Sequence, residues 1–186
     1  VLMVPRIHVQ NANAISSAMT WGFPSITAFS GLMTALERRL GKDSGIEFYG
    51  VGVVCHAFES QVTHAGFTRA FHLTRNPVKA NGITAAIVEE GRVHLEVTLV
   101  FDVQLRSSYQ DESERKKLTE RVAHELAGMR MAGGSVMPPL PSASRVSVTP
   151  FLELIPDVED EKRKQFRRVA RRCLPGFALV SRDDLL

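Results

Sequence analysis

The sequence predicts an α+β fold, an antiparallel sheet with two helices on one face. Three observations carry this. Val93, Leu95, Val97, Leu99, Phe101 and Val103 alternate with His94, Glu96, Thr98 and Asp102, the period of a half-buried strand. Two stretches, Ile26 to Leu40 and Leu118 to Met129, carry apolar residues at helical spacing instead. Strand-like and helix-like segments then follow one another as strand, helix, strand, hairpin insertion, strand, helix, strand.

The elements follow in order. Leu2 to Val9 reads as a first strand, with Pro5 pushing it toward a sheet edge or an irregular start. The polar run Gln10, Asn11, Ala12, Asn13 comes next, then a loop that holds Trp21 and Phe23. Ile26, Phe29, Met33, Leu36 and Leu40 form the stripe of a helix that Ser25 caps and Gly41 ends. Ile46 to about Val62 is extended, and Gly50 and Gly52 mark a bulge or a close backbone approach in it. A turn near His64 to Gly66 leads to a strand over Phe67 to Leu73, and Thr74 to Thr84 is a polar loop.

The strand Val93 to Val103 precedes a helix from about Asp111 to Arg130 with the stripe Leu118, Val122, Leu126 and Met129. Gly133-Gly134 is read as its stop. Met137 to Pro141 is a stiff connector and Arg145 to Leu154 a further strand. A last helix runs from near Asp157 to Cys173, with Phe166, Val169, Ala170 and Cys173 as its buried stripe. Pro175-Gly176 stops it, and Phe177 to Ser181 is extended. This is the split βαβ pattern of ferredoxin-like, RNA-recognition-like domains, which leave the second sheet face free. The division expected is a head over 1–155, with an insertion around 56–92, and a basic helix with a short extended segment over 156–186.

Bulk properties narrow the function. Hydrophobic residues are 44% and charged residues 23% of 186, the balance of a folded chain and not of a disordered one. Net charge is only +3, with a pI near 9.1, so the placement of basic residues matters more than their number. No apolar run approaches the roughly 20 residues that cross a bilayer, and no signal-peptide pattern is visible. Cys55 and Cys173 form neither a metal pair nor a disulfide framework, which reads as reduced thiols in the cytoplasm. No metal-ligand spacing and no cofactor fingerprint is present; Gly50-Val51-Gly52 lacks the third glycine of a dinucleotide turn.

Chemistry concentrates in four places. The helix over Glu161 to Arg172 carries Lys162, Arg163, Lys164, Arg167, Arg168, Arg171 and Arg172, more cations than its dipole needs, so phosphate or an acidic partner competes with a plain solvated face. The turn Arg130-Met131-Ala132-Gly133-Gly134-Ser135 is a helix stop or a backbone that approaches a phosphodiester closely. Gln10, Asn11 and Asn13 have amides that can bond base edges, and Trp21 and Phe23 have rings that stack on bases or anchor to the core. His56 and His72 suggest an acid/base pair, but no carboxylate is placed to orient them, so catalysis is the weaker reading.

Several strings then resemble a known family. Pro5-Arg6-Ile7, Gln10 to Ser17 and Thr20-Trp21-Gly22-Phe23-Pro24 are similar to the N-terminal part of the Csy2 subunit family of type I-F CRISPR complexes. So are Gly52-Val53-Val54-Cys55-His56, Leu73-Thr74-Arg75-Asn76-Pro77, Thr84 to Arg92, His94-Leu95-Glu96-Val97, Met129 to Ser135 and Leu174 to Arg182. Pro138 to Asp157 matches poorly, and family members continue past the equivalent of Leu186, so a further C-terminal part is expected.

The resemblance implies a ferredoxin-like head of the repeat-associated RNA-binding superfamily, with Arg130 to Ser135 as the Gly-rich loop after the second helix. It implies a subunit that is not an enzyme, holds the 5′ handle of guide RNA, and pairs with a larger subunit beside the first backbone subunit. The residues expected at the RNA are Arg6, Gln10, Asn11, Asn13, Trp21, Phe23, Arg75, Asn76, Arg130, Gly133 and Gly134. Arg167, Arg168, Arg171 and Arg172 are assigned instead to the larger partner or to target DNA. The alternatives are a guide-processing ribonuclease and a structural adaptor without RNA contact.

Overall fold

The computed structural model describes residues 1–75, 78–139, 148–180 and 184. The first half of the chain holds β1 (Leu2–Asn13), β2 (Ile15–Ser17), β3 (Thr20–Trp21), α1 (Ile26–Leu40), β4 (Ile46–Ser60), β5 (Val62–Ala65), β6 (Thr68–Phe71), β7 (Leu73–Arg75) and β8 (Ile87–Glu89). The second half holds β9 (Arg92–Leu105), α2 (Glu112–Ala127), β10 (Arg130–Met131), β11 (Gly134–Val136), β12 (Phe151–Leu152), α3 (Glu159–Arg172) and β13 (Phe177–Ala178).

The main sheet is antiparallel, in the order β10-β11-β1-β9-β4-β13, and β12 pairs with the start of β1. β5 to β8 form two separate small hairpins inserted between β4 and β9. The fold is therefore mixed α/β with a curled antiparallel sheet and, among the described residues, three helices.

β9 is the spine of the sheet. Its alternating apolar residues Val93, Leu95, Val97, Leu99 and Phe101 are buried, as the pattern predicts. They meet Phe29, Leu32, Leu36 and Leu40 of α1 and Leu118, Val122 and Leu126 of α2 in one core. Each such side chain contributes about 1.5–3 kcal/mol on burial. Ser25 caps α1 by accepting from the Thr27 N–H at 3.4 Å, and Asp111 caps α2 from the Ser113 N–H at 3.3 Å. Gly41 ends α1 with φ 76°, a conformation that favours glycine.

Five expectations need correction. Pro5 does not push β1 to an edge: the strand is central. Between Val4↔Leu99 and Ile7↔Val97 two residues of β1, Pro5 and Arg6, oppose one of β9, and this bulge absorbs the missing N–H. Gln10 to Asn13 continues β1 and is not a loop, because a second bulge between Val9↔Leu95 and Ala12↔Val93 re-enters the ladder. α2 stops at Gly128, and the Gly133 turn belongs to a β10–β11 hairpin with φ 48° at Ala132 and 76° at Gly133. Two consecutive positive φ values make this a tight hairpin turn of the primed kind.

In α3 only Val169 is buried; Phe166 and Ala170 are exposed, because the helix touches the sheet along a narrow line. Finally, the second sheet face is not free: Leu174 and Pro175 bond to Arg6 and His56 on it. Of the strand expected over Arg145 to Leu154, Phe151–Leu152 is formed, and residues 140–147 lie outside the described residues.

The glycines test the corrected hairpin. A Cβ at Gly134 would lie 2.6 Å from the Gln10 carbonyl oxygen and 2.7 Å from the Ala12 nitrogen, both backbone atoms of β1. Gly134→Ala is expected to destabilise by about 1–3 kcal/mol in urea unfolding. At Gly128, the true helix end, the nearest atom would be 3.5 Å away, and Gly128→Ala is expected to leave the midpoint within about 0.5 kcal/mol of wild type.

Candidate nucleic-acid interface

The second bulge of β1 builds one wall of a cleft. Asn11 has φ 57°, which Asn tolerates better than most residues. Its N–H leaves the ladder and donates to His94 Nδ1 at 3.1 Å, and its carbonyl accepts from Arg92 Nη1 at 3.2 Å. Because His94 Nδ1 accepts, the neutral ring carries its proton on Nε2. Arg92 is itself held by Glu90 Oε2 at 2.9 and 2.5 Å. Two side chains of β9 thus clip the Asn11 backbone, and the side chains of Gln10 and Asn11 are exposed.

The hairpin builds the other wall. Gln10 pairs with Ser135 and Val9 with Val136, which brings residues 10–11 beside residues 130–135. The cleft between them, about 390 Å³, is lined by Gln10, Asn11, Thr74, Glu90, Arg92, Arg130, Gly133, Gly134 and Ser135. Arg130 is exposed, and its Nη1 donates to the Gly133 carbonyl at 3.1 Å, folding the guanidinium over the turn. A second depression of about 580 Å³, lined by Asn13, Ser25 and Gly31 among others, lies on the far side of Arg130 and Gly133.

The structure thus unites five residues expected at the RNA, Gln10, Asn11, Arg130, Gly133 and Gly134, in one cleft. Gly134 is buried, and the close approach it allows is to β1. Asn13 sits beside the cleft, but its amide clips Ile15, accepting from the Ile15 N–H and donating to the Ile15 carbonyl, both at 3.0 Å. Arg75 lies in β7, next to the cleft residue Thr74, and Asn76 lies outside the described residues.

The others are elsewhere. Trp21 is partly exposed in the β2–β3 hairpin and meets Phe71 edge to face at 5.2 Å. Phe23 stacks on Phe29 at 5.8 Å, as an anchor to the core. Arg6 has a side chain only 14% exposed and pairs with Glu96 at 3.0 Å. Thr74, Glu90, Arg92 and His94 were not predicted as site residues, and Ser135 only as part of the turn Arg130 to Ser135. No spacing gives them away, because β-pairing alone brings Arg92 to Asn11.

The first bulge builds a different arrangement. The Arg6 N–H donates to Thr98 Oγ1 at 3.1 Å, and Thr98 is only 1% exposed. His56, the extra residue of a bulge in β4, bonds Thr98 Oγ1 through Nε2 at 2.7 Å and the Pro175 carbonyl through Nδ1 at 2.6 Å. A carbonyl only accepts, so Nδ1–H donates and Nε2 accepts from the threonine hydroxyl. Burial is the largest influence on this imidazole and lowers its pKa below the usual 6.5. The Pro175 bond raises it, nearby Arg6 lowers it, and Glu96 raises it. His72 is exposed and follows β6, and its N–H donates to the Gln61 carbonyl.

Burial raises the pKa of both thiols, Cys55 and Cys173, which keeps them protonated and unreactive. Among the described residues, no cluster of three or more His, Cys, Asp or Glu has metal-holding geometry, and no helix is long and apolar enough to cross a membrane.

The His56 chain sets a pH dependence. Folded His56 is neutral where an unfolded histidine begins to protonate, so the unfolded state binds more protons between the lowered value and 6.5. Its contribution is full above 6.5 and is lost as pH falls through that window. Thermal unfolding from about pH 7.5 to about 5.5 should therefore lower the midpoint more in wild type than in His56→Gln, which keeps polar atoms but does not titrate. Equal slopes would remove His56 from the linkage.

Sequence comparison identifies the family. The profile of the family described as CRISPR-associated protein (Cas_Csy2) matches residues 2–186. A protein named CRISPR-associated protein Csy2, from Pseudomonas aeruginosa (strain UCBPP-PA14), is 47% identical over 194 aligned residues, which take in 100% of this chain. The chain spans 57% of the length of that curated relative. With a family match across nearly its whole length, the chain belongs to the Csy2 family of CRISPR-associated proteins.

Proposed function

We propose that this chain is a non-catalytic subunit of a type I-F CRISPR surveillance complex that holds the 5′ handle of guide RNA in the cleft between Asn11 and Arg130. One observation carries the reading. Two segments about 120 residues apart, each expected at RNA for its own chemistry, form adjacent walls through the Gln10↔Ser135 pairing.

The chemistry suits a single strand. Arg130 offers an exposed cation for a phosphate, and the exposed amides of Gln10 and Asn11 offer donors and acceptors for an unpaired base. Asn13, which closes its own turn, positions the wall and does not read. The ferredoxin-like assignment rests on the order β11-β1-β9-β4, which numbers 4-1-3-2 when the four strands are counted along the chain.

Pairing with the larger subunit and the first backbone subunit, for antiviral targeting of DNA, completes the proposal. Exposed Phe177 and Val180, next to the edge of β4, support a covering partner. The ribonuclease alternative gains nothing from the histidines. Both ring nitrogens of His56 are engaged, and His72 lies apart in the insertion. Labelled repeat RNA should stay intact with the assembled protein; specific cleavage lost in His56→Ala would replace this proposal with catalysis.

Salt titration of RNA affinity tests the binding site, made on the assembled complex with native and scrambled handles. Arg130→Gln should flatten the salt slope by about 0.7 for both RNAs, the share of one phosphate on a single strand. Asn11→Gly keeps the left-handed backbone and removes only the amide, whereas Asn11→Ala would also strain it. Asn11→Gly should cost about 1–3 kcal/mol on the native handle and little on the scrambled one, a magnitude taken from base-edge readout in DNA. An unchanged preference between the two RNAs would take base reading away from Asn11.

A further inference from the structure

We propose that the outer face of α3 is a docking surface for the phosphate backbone of a nucleic-acid duplex, separate from the cleft at Asn11. The charge distribution is the first ground. Residues 162–172 hold seven of the 23 Lys and Arg and no acid, so the other sixteen cations face all twenty acids. Counted with its own Glu159, Asp160 and Glu161, α3 carries +4, and the rest of the chain sums to −1.

The second ground is how the helix is held. Val169 is buried, Gln165 Nε2 donates to Glu153 Oε2 at 2.6 Å, and Arg172 Nη1 donates to Glu153 Oε1 at 2.9 Å. The Arg172 guanidinium also lies 4.2 Å over the Phe151 ring. These contacts fix one side of α3. At 3.6 residues per turn Arg167 and Arg171 fall on the opposite side, Lys164 beside them and Arg168 on the flank next to Arg172, and all four are exposed. Among the described residues, the ion pairs of α3 are Arg163 with Glu159 and Arg172 with Glu153, and neither involves those four.

A merely solvated face would interleave signs. Asp160, one turn before Lys164, is the one acid on this side; beyond it Lys164 with Arg168 and Arg167 with Arg171 are like charges one turn apart, which repel until an anion comes between them.

The occupant follows from what the face lacks. Sites for single strands combine cations with rings on which bases stack. This face has no ring and no amide, so it grips backbone and reads no base. A straight helix of 14 residues, about 21 Å long, presents its cations in a fixed row that matches a stiff backbone better than a flexible one. The site is also distant from the cleft. Glu153 and Phe151 seat α3 at Val1 to Met3, and the cleft opens at Gln10 and Asn11, roughly 25 Å along the strand.

The experiment uses the full chain in its assembled complex and a duplex DNA of arbitrary sequence unrelated to the guide. The variant Lys164→Gln/Arg167→Gln/Arg168→Gln/Arg171→Gln should reduce the salt slope of duplex binding by about 3 to 4 units. It should leave affinity for handle RNA unchanged. Replacing the three arginines by lysine should keep the slope, which ties the effect to charge and not to lost structure. An unchanged slope in the glutamine variant overturns the proposal, and so does an equal loss of handle RNA, which would merge the two sites. If the variant instead fails to assemble while its free chain keeps the wild-type duplex slope, α3 seats a protein and the duplex proposal falls.

Discussion

A buried hydroxyl governs the outer face of this sheet. Where β1 bulges at Pro5 and Arg6, one N–H points out of the ladder, and a buried N–H without an acceptor costs about 1–3 kcal/mol. Thr98 Oγ1 accepts it and passes its own proton toward His56, which donates onward to Pro175. A single threonine on the straight central strand thereby joins the bulges of both neighbouring strands and the turn after α3. The Arg6 side chain follows the same geometry, reaching Glu96 and the Leu174 carbonyl. The second bulge repeats the device four residues away on β9, with His94 in place of Thr98. There the site is open to solvent, and a local necessity of the backbone becomes a displayed amide.

The arginines divide along the same line. Arg6, Arg92 and Arg172 bond to carboxylates and carbonyls that hold distant segments together. Arg130, Arg167, Arg168 and Arg171 are exposed. Net charge conceals this division, since +3 is the sum of a nearly neutral body and a basic helix. Position relative to the carboxylates, more than abundance, decides which cations reach a partner.

Much of the fold was legible because periodicity reports burial directly. The β9 alternation, the Ser25 and Gly41 boundaries of α1, its buried Phe29, Leu36 and Leu40, and Leu118, Val122 and Leu126 of α2 stand as read, while Ile26 is exposed and Met129 lies past the end of α2. Two of the misreadings share one cause: a bulge or a tight hairpin uses residues whose local preferences say loop. Asn11 and Gly133 favour positive φ, so Gln10 to Asn13 looked like a loop when it continues β1, and Gly133-Gly134 looked like a helix stop when it belongs to a two-residue hairpin turn. The basic helix was visible, but which of its residues face inward was not. Phe166 reads as core by chemistry, whereas the contact is made by Val169 and by the polar chains of Gln165 and Arg172. Thr74, Arg92 and His94 had no signal at all, because pairing between strands far apart in the chain cannot be read from spacing within one of them.

The Gln10↔Ser135 rung has one more consequence. The two walls of the cleft are neighbouring strands of one ladder, so hydrogen-bond geometry sets their separation, at about 4.8 Å between strand axes. Such walls cannot swing apart or close over a guest. The cleft is preorganised, and the ordering entropy of binding falls on the incoming molecule and on a few surface side chains. For the RNA proposed above, these two walls would select by fit without a gating motion, and Thr74 of β7 is the lining residue from the separate insertion.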